Sequence, residues 1–424
     1  MARKMKDSGI EWIGEIPEGW EVSQLKYATR WKSEKGCPDA PVLSLYRDFG
    51  VVPKDSRDDN HNVTSLDTSN YKVVDIGDLV INKMKAWQGS MAVSDYRGIV
   101  SPAYHVCSIT SNKVNKRYLH HLLRNPAYLP EYARLSTGMR IGQWDLGFDD
   151  FKNIPFLIPP LDEQAKIADY LDNGCASLDA MLSKTRSSIE EYKKLKQAVI
   201  TQAVTKGVRG EREMKDSGVE WIGEIPKEWV CEKIKYATSI SRGLFNHRPR
   251  NDERYYNGKY PFIQTGDVAN ATKYIVSYSQ TLNELGKSVS KEFPKGTLTM
   301  TIAANVGDVA ILNFDAYFPD SVVGFIPNKN IRTLYLFYVF SAMKDEFTRT
   351  AIKSTQLNLN IDRVKETFIP VTLNVNEQCE IENYLESKCA EIDGLIAKKE
   401  QLVKELESYK KSLIYEVVTG KREV

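Results

Sequence analysis

The feature that most constrains this chain is a long segment of helical character that occurs twice. Residues 162–207 return as residues 376–421 at a constant offset of 214 positions, without a gap. Fourteen of the 45 aligned positions from Glu163 to Gly207 are identical. An internal copy of this length predicts that the chain is built as two similar halves.

Both copies carry a single apolar stripe. Apolar residues recur three, four or seven positions apart, and mostly Lys, Glu, Ser and Gln lie between them. This pattern is typical of a long helix that packs on a partner helix. A run of roughly 40 residues would be about 60 Å long, so we predict that the two helices pack on each other; the alternative is two unrelated surface helices. The predicted helix–helix interface consists of Ile167, Leu171, Leu178, Leu182, Ile189, Tyr192, Leu195, Val199, Ile381, Leu385, Ile392, Ile396, Val403, Leu406, Tyr409 and Leu413.

A second repeat precedes each of two unrepeated blocks. Residues 5–29 return as residues 214–238 at an offset of 209, and seventeen of the 25 positions are identical. We expect Trp12 and Trp20, which lie in this repeat, to be packing anchors. The predicted domains are an N-terminal anchor repeat (1–31), a first recognition block (32–155), a central repeated helix (156–209), a second anchor repeat (210–238), a second recognition block (239–370) and a C-terminal repeated helix (371–424).

Each block mixes short β-like runs with a helical segment. In the first block, residues 71–75 and 78–82 are strand-like and residues 114–133 are helical in pattern. In the second block, the strand-like runs are residues 260–267, 296–302 and 309–313, and the helical segment is 334–347. The loop at 138–145 corresponds to residues 354–360. The sequence therefore predicts an α+β fold in which two mixed α/β domains are joined by two long helices.

Composition and missing motifs narrow the function. The chain is 42% hydrophobic and 27% charged, which is typical of a soluble globular protein. It has no apolar run of the roughly 18–20 residues that a membrane span needs, and its polar N-terminus predicts no signal peptide. Six scattered cysteines without a C-x-x-C pair predict reduced thiols and no zinc site.

Catalytic motifs are also missing. No phosphate-binding G-x-x-x-x-G-K-[ST] loop occurs in the sequence. The segment Asn125-Pro-Ala-Tyr128 lacks the second proline of an amino-methyltransferase motif and has no Gly-rich cofactor loop before it. We therefore expect a chain without catalytic residues of its own.

The charge of the chain is unevenly distributed. The net charge is only +2, yet residues 30–155 carry +3 and residues 239–370 carry +4, which leaves −5 for the rest. A phosphate-binding face need only be locally basic. The positive charge of the two blocks therefore favours contact with nucleic acid there.

Taken in order, these motifs resemble the specificity subunit of Type I restriction–modification enzymes. The motif Trp-Ile-Gly-x-Ile-Pro-x-x-Trp runs from Trp12 to Trp20 and again from Trp221 to Trp229. Each copy is followed by a variable block and a helix, the first helix entered through Pro159-Pro-Leu-Asp-Glu-Gln164 with Asp162 as its expected N-cap. The second entry departs from this pattern, with Asn-Val-Asn-Glu-Gln before the helix, and leaves its start less clear. The resemblance covers essentially the whole chain.

The resemblance implies a division of labour. Each block would be a target recognition domain for one half of a bipartite, asymmetric DNA site. The two helices would form an antiparallel coiled coil with pseudo-twofold symmetry that sets the spacing and docks two modification subunits. Those modification subunits would bind S-adenosylmethionine and methylate adenine, and restriction (motor-nuclease) subunits would bind ATP and Mg²⁺. This chain itself would hold no cofactor or metal. It would be a cytoplasmic, non-catalytic protein. The alternatives are a coiled-coil scaffold that does not bind DNA and a self-contained restriction-methyltransferase fragment.

Base edges are best recognised by Arg, Lys, Asn and Gln, and phosphates by Lys, Arg, Ser and Thr. On this basis we predict DNA-contacting residues in both blocks, the alternative for each being a solvated loop residue. In the first block they are Lys83, Lys85, Trp87, Gln88, Arg140, Gln143 and Trp144. In the second they are Arg242, Asn246, Arg248, Arg250, Gln264, Thr265, Gln356 and Asn358.

Overall fold

The computed structural model describes residues 3–47, 49–56, 64–65, 67–138, 144–247, 250–350, 352–353 and 357–424. The chain forms two compact units. The first contains Met1–Arg186 and Glu400–Val424, and the second contains Ser187–Lys399. The division falls inside both long helices, so each unit includes one half of each helix.

The first unit begins with a β-hairpin from the anchor repeat and continues into a four-stranded antiparallel sheet. Its elements are β1 (Met5–Asp7), β2 (Glu15–Pro17), β3 (Glu21–Gln24), β4 (Thr29–Lys32), β5 (Leu43–Tyr46), β6 (Gly50–Pro53), β7 (Lys72–Val74), β8 (Asp78–Asn82), β9 (Met91–Val93), β10 (Gly98–Val100), β11 (Tyr104–Ile109), α1 (Lys116–Leu123), α2 (Leu129–Leu135), β12 (Ser136–Thr137), β13 (Asp145–Leu146), α3 (Phe148–Phe151), β14 (Pro155–Ile158) and α4 (Leu161–Lys206).

The core of the first unit joins the anchor repeat to the block and the long helices. Trp20 is fully buried there, as are Tyr118 and Leu171. Trp12 is partly buried and packs edge-on against Tyr128, with ring centroids 4.4 Å apart. Both tryptophans therefore pack into the fold, as the sequence predicts.

The second unit repeats this plan and adds strands. Its elements are β15 (Met214–Asp216), β16 (Glu224–Pro226), β17 (Val230–Lys233), α5 (Ile234–Ala237), β18 (Thr238–Arg242), β19 (Tyr256–Phe262), α6 (Thr265–Asn270), β20 (Tyr274–Ile275), β21 (Gln280–Leu282), α7 (Glu284–Ser288), β22 (Glu292–Phe293), β23 (Leu298–Thr301), β24 (Val309–Leu312), β25 (Ala316–Tyr317), β26 (Val322–Pro327), α8 (Thr333–Ala342), α9 (Lys344–Thr350), β27 (Ile352–Lys353), β28 (Leu357–Asn358), α10 (Ile361–Glu366), β29 (Phe368–Val371) and α11 (Val375–Val418).

The two blocks share a strand order although their sequences differ. The order β4-β11-β8-β9 of the first block matches β18-β26-β23-β24 of the second, and every pairing within these four strands is antiparallel. Two short helices, a two-stranded hairpin, one more short helix and an edge strand then lead into the long helix in both blocks. The hairpins β12–β13 and β27–β28 are therefore equivalent.

Most of the predicted elements are confirmed. The runs at 71–75 and 78–82 are β7 and β8, and those at 296–302 and 309–313 are β23 and β24. The strand predicted at 260–267 is wrong in its second half, because β19 ends at Phe262 and helix α6 begins at Thr265. The two predicted helical segments are each broken into two helices, the first by a 3-10 turn at Pro126–Tyr128, because proline lacks the N–H that would continue the helix.

The starts of the long helices differ from the expectation in one case. Helix α4 begins at Leu161, so Asp162 lies in its first turn and not at the N-cap, where its carboxylate still favours the helix dipole. Helix α11 begins at Val375, and the Asn374 side chain accepts hydrogen bonds from the backbone of Asn376 (3.1 Å) and Glu377 (3.3 Å). The sequence thus carried a capping residue at the unclear second entry.

The halves of the two long helices that share a unit are joined by ion pairs between equivalent residues. In the first unit Lys410 contacts Asp179 at 2.6 Å, and in the second unit Lys196 contacts Asp393 at 2.6 Å. The predicted interface residues fall into three groups. Ile167, Leu171, Leu178, Leu182, Ile189, Ile381, Leu385, Ile392 and Leu413 are buried, Tyr192, Val199, Ile396, Val403 and Leu406 are partly buried, and Leu195 and Tyr409 are about half exposed (48% and 50%).

Candidate nucleic-acid interface

In the first block, the structure brings two predicted groups of DNA-contacting residues together. Lys83–Gln88 form a 3-10 helix between β8 and β9. The Trp87 ring packs edge-on against Trp144, with centroids 5.1 Å apart, and Lys83 Nζ contacts the Asp145 carboxylate at 2.8 Å. The 3-10 helix and strand β13 therefore form one surface.

Polar groups on this surface are left without partners. Among the described residues, the indole nitrogen of Trp87 and one carboxylate oxygen of Asp145 are buried without a hydrogen bond. Lys85 is exposed on the same 3-10 helix. Gly89 ends that helix with a φ of 82°, a conformation that favours glycine. A surface with exposed positive charge and aromatic faces is suited to nucleic acid.

Three residues beside this surface, Trp31, Lys72 and His105, were not predicted from the sequence. Trp31 packs against His105 (4.8 Å between centroids), and the Lys72 ammonium lies over the Trp31 ring at 5.1 Å. Burial lowers the pKa of Lys72, with Lys83 adding to the effect, and burial also lowers the pKa of His105. Trp31 lies two positions after the repeated residues 5–29, where the two copies have diverged, and that divergence is the signal that could have identified it.

In the second block, predicted arginines meet at one acidic residue. Arg242 Nε donates to the Asp320 backbone carbonyl at 2.5 Å, and the Arg250 guanidinium forms an ion pair with the Asp320 carboxylate. Asn246 is exposed, and its backbone N–H donates to the Val289 carbonyl at 3.1 Å. The structure therefore brings Arg242 and Arg250 together.

The predicted pair Gln264 and Thr265 lies at the start of α6. The Gln264 backbone N–H donates to the Asp267 carboxylate at 2.7 Å, and the Gln264 side-chain amide donates to Gln280 at 2.8 Å. These groups of Gln264 are therefore used within the fold. Arg140, Gln143, Arg248 and Gln356 lie outside the described residues, and Asn358 is described only as part of strand β28.

The same buried amide fixes each block to its long helix. Gln164 Oε1 accepts from the Asn115 backbone N–H at 2.7 Å, and its Nε2 donates to two carbonyls, those of Lys113 and Pro159. The equivalent Gln378 accepts from Arg332 at 2.8 Å and donates to the carbonyls of Asn330 and Thr372. Both glutamines are fully buried, so Gln164 ties the start of α4 to the loop before α1, and Gln378 ties the start of α11 to the loop before α8.

The neighbouring glutamate meets the anchor repeat. Glu163 contacts Arg3 and accepts from the Trp20 indole N–H at 3.0 Å, and Arg3 lies over the Trp20 ring at 5.5 Å. In the second unit, Glu377 contacts Arg212 at 2.6 Å, and Arg212 lies over the Trp229 ring at 5.4 Å. The duplicated anchor and helix sequences therefore meet in the same way in both units.

Two features are absent from the described part of the chain. No group of three or more His, Cys, Asp or Glu side chains is placed to hold a metal ion. No helix there is long and apolar enough to cross a membrane.

Comparison with known proteins decides the family. The model of the Type I restriction modification DNA specificity domain matches residues 17–191 and 240–405 of this chain. The chain belongs to this family. The first match begins inside the first anchor repeat, and the second begins just after the second anchor repeat. Each match ends within a long helix, so this specificity domain occurs twice in the chain.

Relatives and solved structures agree. The chain is similar to the putative type I restriction enzyme MjaX specificity subunit of Methanocaldococcus jannaschii (24% identity, covering 96% of this chain and 95% of that protein). It is also similar to the EcoBI specificity subunit of Escherichia coli (24% identity, covering 68% and 62%). A chain from a study of complex assembly and conformational transition in a type I R-M system shares its fold with a TM-score of 0.74 at 16% identity, covering 96% of this chain and 99% of that one. The HsdS subunit of Thermoanaerobacter tengcongensis does so with a TM-score of 0.54 at 15% identity, covering 98% and 100%.

The predicted family, fold class and function as a Type I specificity subunit are thereby confirmed. The non-DNA scaffold alternative is not favoured. Membership in this family gives the chain a non-catalytic role.

Proposed function

We propose that the chain directs a Type I restriction–modification complex to a bipartite, asymmetric DNA site, each block recognising one half. The observation that carries this proposal is one strand order that presents two different sets of side chains. The first block offers Lys83, Trp87 and Trp144, and the second offers Arg242 and Arg250. Different side chains on equivalent frames would recognise different bases.

We also propose the functional division drawn from the sequence: anchors at 1–31 and 210–238, recognition domains at 32–155 and 239–370, and repeated helices at 156–209 and 371–424. The two helices are 46 and 44 residues long. In this proposal their length sets the spacing between the two half-sites.

Duplicated exposed residues support the docking of two modification subunits. Tyr27 and Tyr236 are equivalent in the anchor repeats, 70% and 63% exposed, and each has a lysine over its ring at 5.2 and 5.0 Å. Tyr170 and Tyr384 are equivalent in the helices and are also exposed. Exposed aromatic residues retained in both copies fit a partner that binds twice. In this proposal the modification subunits bind S-adenosylmethionine and methylate adenine, and restriction subunits that use ATP and Mg²⁺ add cleavage in the cytoplasm.

The function is tested by mapping N6-methyladenine across the genome of cells that contain the partner modification subunit, with and without this gene. We expect a split, asymmetric motif only in the presence of the gene. Exchanging residues 32–155 for the corresponding block of another specificity subunit should change one half of the motif and leave the other intact. A soluble protein that binds its modification subunit but directs no motif would contradict the proposal.

The docking is tested by native mass spectrometry of the complex. Tyr27→Ala and Tyr236→Ala should each weaken the binding of one modification subunit, and the double variant should weaken both. Tyr274→Ala, an exposed tyrosine of the second block without a repeat counterpart, is the matched control and should retain two subunits. Undiminished binding in the double variant would show that the anchor tyrosines do not dock the partner.

A further inference from the structure

The second block contains a turn that corresponds to the predicted DNA-contacting helix of the first. Lys83–Gln88 connect β8 to β9, and residues 302–308 connect β23 to β24. Strands β8 and β23 occupy the same place in the shared strand order. None of the residues predicted from sequence in the second block lies in this turn, although its counterpart holds four of those predicted in the first.

The turn also lies where the predicted residues of the second block converge. The Ile302 N–H donates to the Ser321 carbonyl at 2.9 Å, next to Asp320, which holds Arg242 and Arg250. On its other side, the Ile302 carbonyl accepts from the Leu359 N–H at 2.8 Å, directly after strand β28. The turn therefore connects the arginine cluster to the hairpin equivalent to β12–β13.

The turn is held in a defined shape with its tip exposed. Ala304 has a φ of 64°, a conformation rare for residues other than glycine. The Gly307 N–H donates to the Thr301 carbonyl at 2.9 Å, and Lys344 contacts Asp308 at 2.6 Å. Asn305 is exposed at the tip, and its carboxamide has no hydrogen-bond partner among the described residues. Strained backbone that the surroundings hold in place is concentrated at functional sites.

We propose that Asn305 is a specificity-determining residue whose carboxamide contacts a base edge in the half-site recognised by the second block. An asparagine side chain can donate to and accept from the N6 and N7 positions of adenine at the same time, so adenine is the base it suits best. The turn holds the backbone of Asn305 in place before DNA binds. This inference rests on the proposed function.

The test maps N6-methyladenine across the genome of cells that contain the modification subunit and the Asn305→Ala variant in place of the unsubstituted chain. We expect the preference at one position of the second block's half-site to relax by about 5- to 150-fold, the range that corresponds to one good base contact. The other half of the motif should not change. Asn313→Ala is the matched control, because Asn313 is exposed at the opposite end of β24, and it should leave the whole motif intact.

Three results would overturn the inference. An unchanged motif in Asn305→Ala, or a uniform loss of methylation with the motif intact, excludes base recognition by Asn305. If Asn305→Ala fails to fold, Asn305→Asp is used in its place, because an aspartate keeps the shape of the side chain but can only accept hydrogen bonds. This variant should shift the base preference at one position towards cytosine. An unchanged base preference would exclude base recognition by Asn305. The unsubstituted chain distinguishes a failure of this inference from a failure of the proposed function. If the proposed function is wrong, the unsubstituted chain directs no methylation motif either.

Discussion

The ends of the blocks that meet the long helices are nearly identical in the two units, whereas the ends that carry the predicted DNA residues differ. Gln164 and Gln378 make the same three hydrogen bonds. At the other end, a tryptophan pair in the first block contrasts with an arginine pair in the second. A fully buried amide has few alternative ways to satisfy its donors and acceptors, so it is retained, while an exposed surface is free to change.

The shared end also contains one difference. The Trp20 indole N–H donates to Glu163, but the indole nitrogen of Trp229 is buried without a partner among the described residues. There the Thr372 hydroxyl donates to Glu377 at 3.1 Å. The carboxylate thus accepts from different further donors in the two units, whereas the contact with an arginine, Arg3 in the first unit and Arg212 in the second, is common to both.

The largest effect should come from the buried glutamines. Gln164→Ala and Gln378→Ala should each lower the free energy of unfolding of their own unit by roughly 3–5 kcal/mol, because three buried hydrogen bonds are lost and their backbone partners stay buried. Urea denaturation, combined with hydrogen exchange of peptides from each unit, measures both effects separately.

Gln202→Ala is the control for these variants, since Gln202 is exposed on the same helix as Gln164, and it should change stability by less than about 0.5 kcal/mol. A large loss at only one of the two buried glutamines would break the equivalence of the two helix starts.

Substitution of the two anchor tryptophans should destabilise the two units by different amounts. Trp20→Phe and Trp229→Phe lose similar apolar contact, but only the first also loses a charge-assisted hydrogen bond. We therefore expect Trp20→Phe to destabilise by about 1–2 kcal/mol more than Trp229→Phe. Equal losses, measured by the same denaturation, would mean that the Trp20–Glu163 bond contributes nothing.

Acid should reveal a similar contact in both helices. Burial alone would raise the pKa of Asp172, but hydrogen bonds from His121 and Arg117 outweigh it and lower the pKa to about 2. Burial likewise opposes the hydrogen bonds from Lys273 and Tyr338 that lower the pKa of the equivalent Glu386. A carboxylate with a lowered pKa stabilises the folded state above its unfolded pKa, and this contribution is lost as the pH falls towards the folded value.

We therefore expect the stability of the first unit to fall less steeply between about pH 4 and pH 2 in Asp172→Asn than in the unsubstituted chain. Thermal melts at several pH values across that range measure this difference. Asp169→Asn is the control. Asp169 is more exposed than Asp172, and it contacts Arg117 but not His121, whereas Asp172 contacts both. If Asp172→Asn and the unsubstituted chain lose stability in parallel, the His121–Asp172 contact does not contribute.

The smallest effect should come from the ion pairs of the long helices. Lys410→Ala and Lys196→Ala each remove a contact to an aspartate whose side chain is more than half exposed. Exposed pairs contribute about 0–1 kcal/mol, so both variants should lose equally little in denaturation at low salt. A larger effect in either one would show that its pair is less solvated than its exposure indicates.

The sequence predicted the parts of the fold that are periodic or repeated. The apolar stripes at 167–199 and 381–413 predicted the two long helices, and the repeats predicted a chain of two similar halves. The strand order shared by the blocks could not be predicted, because strand pairing depends on contacts between residues far apart in sequence. The turn at 302–308 was missed for a related reason, since a short turn with one exposed asparagine has no periodic pattern and becomes recognisable only beside its counterpart at Lys83–Gln88.

The way the first unit is assembled has a consequence for synthesis on the ribosome. Its apolar core includes Leu171 and Leu178 from helix α4 together with Leu413, Val417 and Val418 from helix α11. The residues between, Ser187–Lys399, belong to the second unit, and translating this stretch takes roughly 10–40 s at about 5–20 residues per second. Throughout that interval the nascent first unit lacks the segment that covers its helix. The half of the protein made first is therefore finished last, and it is the half most exposed to aggregation and most dependent on chaperones during translation.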